Sequence, residues 1–148
     1  PVSIVINAIF FNLVNGSING YYLGNIQPFY AENYFMQWNF ILGIILFAAG
    51  CIINIHSDNI LLKLWKQGES GYKIPYVVLF KYISASNYLG EIIKWLGYTL
   101  AAGSLPAVPF AVWTIANLVP RAISNHKWYL EKFSNYPKER KALIPHII

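Results

Sequence analysis

Asn87 and Glu91 stand four residues apart, so on a helix both side chains fall on one face. A carboxamide and a carboxylate placed in this way can grip a polar ligand. Lys94, three residues past Glu91, offers the plainer alternative of an ion pair that neutralises the acid. Asn54, His56 and Asp58 close a long apolar run, where solvation of a helix end explains them as readily as ligand binding does. Arg121, His126 and Tyr129 follow one another at spacings compatible with one helical face. The planar fork of Arg121 suits a phosphate or pyrophosphate, while a cation beside an apolar segment also snorkels to lipid phosphate. There is no Gly-rich dinucleotide fingerprint, Walker loop, Gly-x-Ser-x-Gly elbow or His-Glu-x-x-His, so a bound nucleotide would be held without a Rossmann domain. His56, His126 and His146 are too scattered for a metal site, and Cys51, the single cysteine, has no partner for a disulfide. No catalytic acid is assigned within this chain.

The elements that must position these residues follow from composition. Of 148 residues 56% are hydrophobic and 11% charged, against about 25% charged in a soluble domain. Residues 1–31 and 33–55 carry no Asp, Glu, Lys or Arg. About 20 apolar residues cross a hydrocarbon core, which predicts an all-α, multi-span transmembrane helix bundle with spans at about 1–22, 36–55, 87–103 and 106–121. Gly43, Ala48, Ala49 and Gly50 suit close helix packing in the second span. Gly103 and Pro106 suit a tight turn between the last two.

Short cytoplasmic loops collect Lys and Arg. Lys63, Lys66, Lys73 and Lys81 follow the second span, and Arg121, Lys127, Lys132, Lys138, Arg140 and Lys141 follow the last, whereas 23–35 and 103–106 contain no basic residue. Two spans between the clusters put both on one side, as a cytosolic loop 56–86 and a cytosolic tail 122–148. The net charge of +5 thus belongs to membrane topology and not to nucleic-acid binding. Loop and tail together could cover one mouth of the bundle, where a cavity could hold a charged cofactor. Pro1 opens directly into an apolar run with no initiator Met, so the chain reads as the C-terminal part of a longer protein whose N-terminal half is its partner.

Several ordered blocks are specific enough to name a family. Asn54-Ile55-His56-Ser57-Asp58, Gly71-Tyr72-Lys73-Ile74-Pro75, Leu79-Phe80-Lys81-Tyr82-Ile83-Ser84 and Asn87-Tyr88-Leu89-Gly90-Glu91 resemble the C-terminal region of the steroid 5α-reductases. So do Pro120-Arg121-Ala122, His126-Lys127-Trp128-Tyr129 and the tail from Tyr136 to Pro145. The resemblance implies an all-helical, seven-span enzyme of the endoplasmic reticulum membrane that reduces the C4–C5 double bond of 3-oxo-Δ4 steroids with NADPH. This chain would hold spans four to seven, with its C-terminus cytosolic. Residue matching assigns Asn54, Asp58, Tyr72, Asn87, Glu91, Arg121 and Tyr129 to positions the family associates with the NADPH pocket, with Lys73 and His126 beside them. The Glu and Tyr thought to bind the 3-oxo group belong to the family's N-terminal half. Five positions depart from the family pattern: Val77 and Val78 replace a Gly pair, Trp65 a basic residue, Asn125 a His and Lys73 an Arg.

Related readings keep the architecture and change the substrate, as in trans-2-enoyl-CoA and polyprenol reductases. The blocks at 54–58 and 71–75 favour the steroid branch. A transporter or a scaffold is the reading from another class, and transport would predict internal repeats or discontinuous spans, neither of which the sequence shows.

Overall fold

The computed structural model describes residues 2–27, 30–64 and 73–148. Tyr72, Trp65 and Gly71 therefore lie outside the described residues. Four helices carry the fold: α1 (Val2–Tyr21), α2 (Trp38–Leu64), α3 (Ser86–Ala102) and α4 (Ala107–Lys132). A π-helical turn, Tyr22–Ile26, extends α1, and short 3-10 turns occupy Tyr34–Met36 and Val78–Lys81. No strand occurs among the described residues, only an isolated parallel bridge between Ile83 and Lys141. Helices are what an apolar solvent demands, because each satisfies its own backbone groups. α2 and α4 are long and apolar enough to cross a membrane, with mean hydropathies of 2.1 and 1.2. The molecule is a membrane helix bundle.

Two helices outrun the spans read from charge. α2 continues past Ile55 to Leu64, since Asn59-Ile60-Leu61-Leu62-Lys63-Leu64 contains no Gly or Pro to stop it. Asn54, His56 and Asp58 consequently sit inside the helix and not at its end. α4 continues past Arg121 to Lys132, carrying Pro120 within it.

α2 and α3 run antiparallel in near backbone contact. Gly43 and Gly50 on α2, and Gly90 and Gly97 on α3, are all buried. A Cβ at Gly50 would lie 2.7 Å from the Gly90 carbonyl oxygen, and one at Gly97 2.7 Å from the Gly43 carbonyl oxygen. Only hydrogen fits there, the small-residue packing expected when lipid removes any hydrophobic drive between helices. Ala48, by contrast, faces outward.

α3 stops at Gly103, whose φ of 54° is the left-handed cap geometry, with its N–H donating to Thr99 O at 3.1 Å. Pro106 then opens α4. The last carbonyls of α3 are closed from outside, Ala102 by Tyr30 Oη at 2.6 Å and Ala101 by Tyr34 Oη at 2.8 Å. Burial, with Tyr34 beside it, pushes the Tyr30 hydroxyl above its ordinary pKa, so it stays a donor.

The tail returns to the start of α3. Lys141 N–H donates to Tyr82 O, while Ser84 and Ala85 N–H donate to Lys141 and Ala142 carbonyls, at 2.9–3.1 Å. Ala142 and Leu143 are thereby buried against Ala85, Ile92 and Ala122, forming the core cluster between α3 and α4. α1 is attached more thinly: Phe11 meets the rings of Phe110 and Trp113 at 5.3 and 6.5 Å, while Val5, Ile9, Phe10 and Leu13 are exposed.

Candidate functional site

The glycine seam brings Asn54, Asp58 and Asn87 together. Asn54 Nδ2 donates to Asn87 O at 3.0 Å, and Asn87 Nδ2 donates to Asp58 Oδ1 at 3.2 Å. Ser57 and Ser86 hydroxyls, 2.7 Å apart, add a buried link alongside. A bulkier seam would hold these donors and acceptors out of reach. All three polar side chains are half-buried, so the network retains an accessible side.

One turn further along α3, Glu91 has both carboxylate oxygens engaged. Lys94 Nζ lies 2.7 Å from Oε2, and Trp95 Nε1 donates to Oε1 at 3.0 Å. The ion pair weighed against ligand binding in the sequence is therefore formed. Glu91 nonetheless lines a cavity of about 420 Å³ together with Arg121, Asn117, Thr114, Trp113 and Phe11. Arg121 is exposed and forms no salt bridge among the described residues. Its guanidinium thus meets Glu91 across an open space instead of pairing with it.

His126 and Tyr129 fall in a different group. His126 Nδ1 lies 2.6 Å from Ser84 Oγ, which is also 2.7 Å from Tyr136 Oη. Tyr129 stacks on Tyr136 with ring centroids 5.2 Å apart. The group is completed by Arg140, only 3% exposed, whose Nη2 donates to Pro75 O at 2.8 Å. Its guanidinium lies over the rings of Tyr76 and Tyr136 at 4.9 and 5.0 Å, an arrangement that holds a cation without a carboxylate. Lys73, exposed, opens the same segment. Here Val78, at one of the positions departing from the family pattern, takes φ 50°. That left-handed conformation is natural for Gly and strained for a β-branched residue.

Charge and apolar length single out neither the asparagines of α1 nor the Ser84–Tyr136–Arg140 group. Asn12, Asn15 and Asn19 line a second cavity of about 430 Å³ with Lys94, Trp95 and Tyr98. Their three- and four-residue spacing is a one-face signal present in the sequence. The tail group has no local signal, because Arg140 and Pro75 are 65 residues apart.

The whole chain, residues 1–148, matches the family model described as 3-oxo-5-alpha-steroid 4-dehydrogenase. It is 46% identical over 146 residues to steroid 5-alpha-reductase DET2 of Solanum lycopersicum, covering 98% of this chain and 56% of that relative. It is also 46% identical over 147 residues to 3-oxo-5-alpha-steroid 4-dehydrogenase 2 of Homo sapiens, covering 99% and 58%. The rat 3-oxo-5-alpha-steroid 4-dehydrogenase 1 is 47% identical over 141 residues, covering 95% and 54%. The chain thus spans little more than half the length of these relatives. A match that runs the full chain, over a helix bundle whose seam and tail draw the resembling blocks together, leaves one assignment: the chain belongs to the 3-oxo-5-alpha-steroid 4-dehydrogenase family.

Proposed function

We propose that the full-length protein reduces the C4–C5 double bond of 3-oxo-Δ4 steroids with NADPH, delivering hydride to C5 and a proton to C4. The observation that carries this reading is the cavity lined from α1, α3 and α4 by both Glu91 and Arg121, in which Arg121 has no ion pair among the described residues. A guanidinium lining such a cavity fits a phosphate, and the Trp95 and Trp113 rings that line it too fit a planar ring or an apolar ligand. When bound, the dinucleotide supplies the hydride. Arg121 would hold its phosphate, while Asn54, Asp58 and Asn87 would offer hydrogen bonds to ribose or carboxamide groups. Lys73, ahead of α3, and His126 and Tyr129, in the last turns of α4, would add further polar contacts to the dinucleotide. The His126–Ser84 contact favours a positioning role for that ring.

Lys and Arg asymmetry supports a multi-pass protein of the endoplasmic reticulum membrane with the connection from α2 to α3 and the C-terminus cytosolic. The N-terminal half of the longer protein would complete the cavity and bind the 3-oxo group. The deciding experiment is product analysis of membranes expressing full-length protein, given NADPH and in turn a 3-oxo-Δ4 steroid, a trans-2-enoyl-CoA and a polyprenol. A 5α-reduced steroid is expected. Turnover of only the enoyl-CoA or polyprenol would move the chain to another lipid reductase, and no turnover together with no NADPH protection against proteolysis would leave a scaffold.

A further inference from the structure

The face that α1 turns to the bundle carries two buried carboxamides. Asn15 and Asn19 are 7% and 5% exposed, while Val5, Ile9, Phe10 and Leu13 of the same helix are exposed. Asn19 Nδ2 donates to Asn15 Oδ1 at 2.7 Å and to the Asn15 carbonyl oxygen at 3.1 Å. These bonds hold the Asn19 carboxamide and leave its Oδ1 buried without a partner. An acceptor left unpaired in apolar surroundings is costly, so the place calls for a donor. A small turn about the last torsion of Asn19, which is broadly permissive, presents this oxygen to the cavity of about 430 Å³ that the residue lines.

The cavity narrows the choice of donor. Its wall is mostly apolar, with the rings of Phe47, Trp95 and Tyr98, and Lys94 beside them is held by Glu91 at 2.7 Å. Ordered water needs about two to four polar partners, which such a wall supplies poorly. A flat apolar ligand that carries one hydroxyl suits rings with a single orphan acceptor among them. Position agrees with this. Asn12 and Trp95 also line the cavity of Glu91 and Arg121, and Asn19 lies two turns beyond Asn12, about 10 Å along the helix. A rigid four-ring skeleton spans a separation of this order, from an enone at the shared wall to its opposite end at Asn19.

Resting on the steroid reading above, we propose that Asn19 is a specificity-determining residue, whose Oδ1 accepts a hydrogen bond from a hydroxyl at the end of the steroid remote from the enone. Asn15 orients the carboxamide that does this. A ketone at the same end offers no proton and sets its oxygen against that of the amide, so the buried acceptor stays unpaired. Selection then works mainly by exclusion. A steroid without a donor there leaves the protein with an unsatisfied group, and that penalty separates it from one that has a hydroxyl.

The test uses full-length enzyme in detergent with saturating NADPH and two 3-oxo-Δ4 steroids that differ only in a remote hydroxyl or a remote ketone. Wild type is compared with Asn19→Leu, close to asparagine in size, and with Asn19→Ala, so that one variant serves if the other does not accumulate. The readout is the ratio of kcat/KM for the two steroids, which does not depend on how much of each preparation is folded. Wild type should prefer the hydroxyl about tenfold, the scale of one hydrogen bond made or left unmade. Both variants should lose most of that preference through a higher KM for the hydroxyl steroid. A ratio near one in wild type would overturn the proposal. So would a preference kept in the variants, which would assign the amide pair to packing against the N-terminal half. Failure of the underlying reading shows separately, as wild-type enzyme that reduces neither steroid.

Discussion

The seam between α2 and α3 and the margin between α1 and the rest of the bundle are built on opposite rules. Along the seam, backbone meets backbone, and a methyl group at Gly50 would lie 2.7 Å from both the Gly90 oxygen and the Lys94 Cα. Along α1, added Cβ atoms at Gly16, Gly20 and Gly24 would meet nothing within 4 Å. The seam fixes the Asn54–Asp58–Asn87 network, and the margin leaves room: both cavities have α1 residues in their walls. Rigidity and capacity are thus assigned to different helix pairs. A site that must hold a large ligand inside a membrane needs both.

Breaking the seam has the largest expected effect. Gly50→Ala forces backbone apart and should cost about 1–3 kcal/mol or more, read as a lower Tm of the full-length protein in detergent. An unchanged Tm would mean the seam is not close-packed. Arg121→Ala acts on the roomy side and should cost about 1.5–3 kcal/mol in NADPH binding, roughly ten- to a hundredfold in affinity, with the steroid KM nearly unchanged. Arg121→Lys should recover part of that loss, and full recovery would instead indicate snorkelling to lipid phosphate. Val78→Gly relieves a left-handed backbone and should raise stability by about 1 kcal/mol after the entropic cost of glycine. A fall in Tm there would show that the valine side chain contributes more than its strain costs. Gly16→Ala should be the mildest, neutral to stabilising by about 0.5–1 kcal/mol through helix propensity. A clear loss would show that α1 is packed as tightly as the seam.

The sequence makes some of this arrangement legible, for physical reasons that differ by region. A charge-free stretch through residues 33–55 points to a membrane helix because only a helix hides its own backbone in lipid. The same criterion is blind beyond Ile55, where Lys63 is tolerated and the helix runs on to Leu64. Asn87 and Glu91 share a face by spacing alone, yet Asn87 turns to Asp58 on the neighbouring helix and Glu91 to Lys94 and Trp95 on its own. Asn12, Asn15 and Asn19 are uncharged, so a search for charge-free stretches passes over a stripe that their spacing reveals. What joins Ser84 to His126 and Tyr136, and Arg140 to Pro75, is invisible to any local pattern, because those partners lie 42 to 65 residues apart.

The returning tail also sets an order of assembly. Residues 140–143 pair with 82–85 and fill the space beneath α3, while synthesis proceeds from the N-terminus. The segment that carries Lys73 and leads into α3 therefore lacks its clamp until the final stretch of this chain has left the ribosome. Until then, Ala85, Ile92 and Ala122 have no Ala142 or Leu143 to cover them. Chains halted just short of residue 140 would hold all four helices and still present an apolar opening between α3 and α4. To quality control in the membrane, that opening would distinguish an unfinished molecule from a finished one.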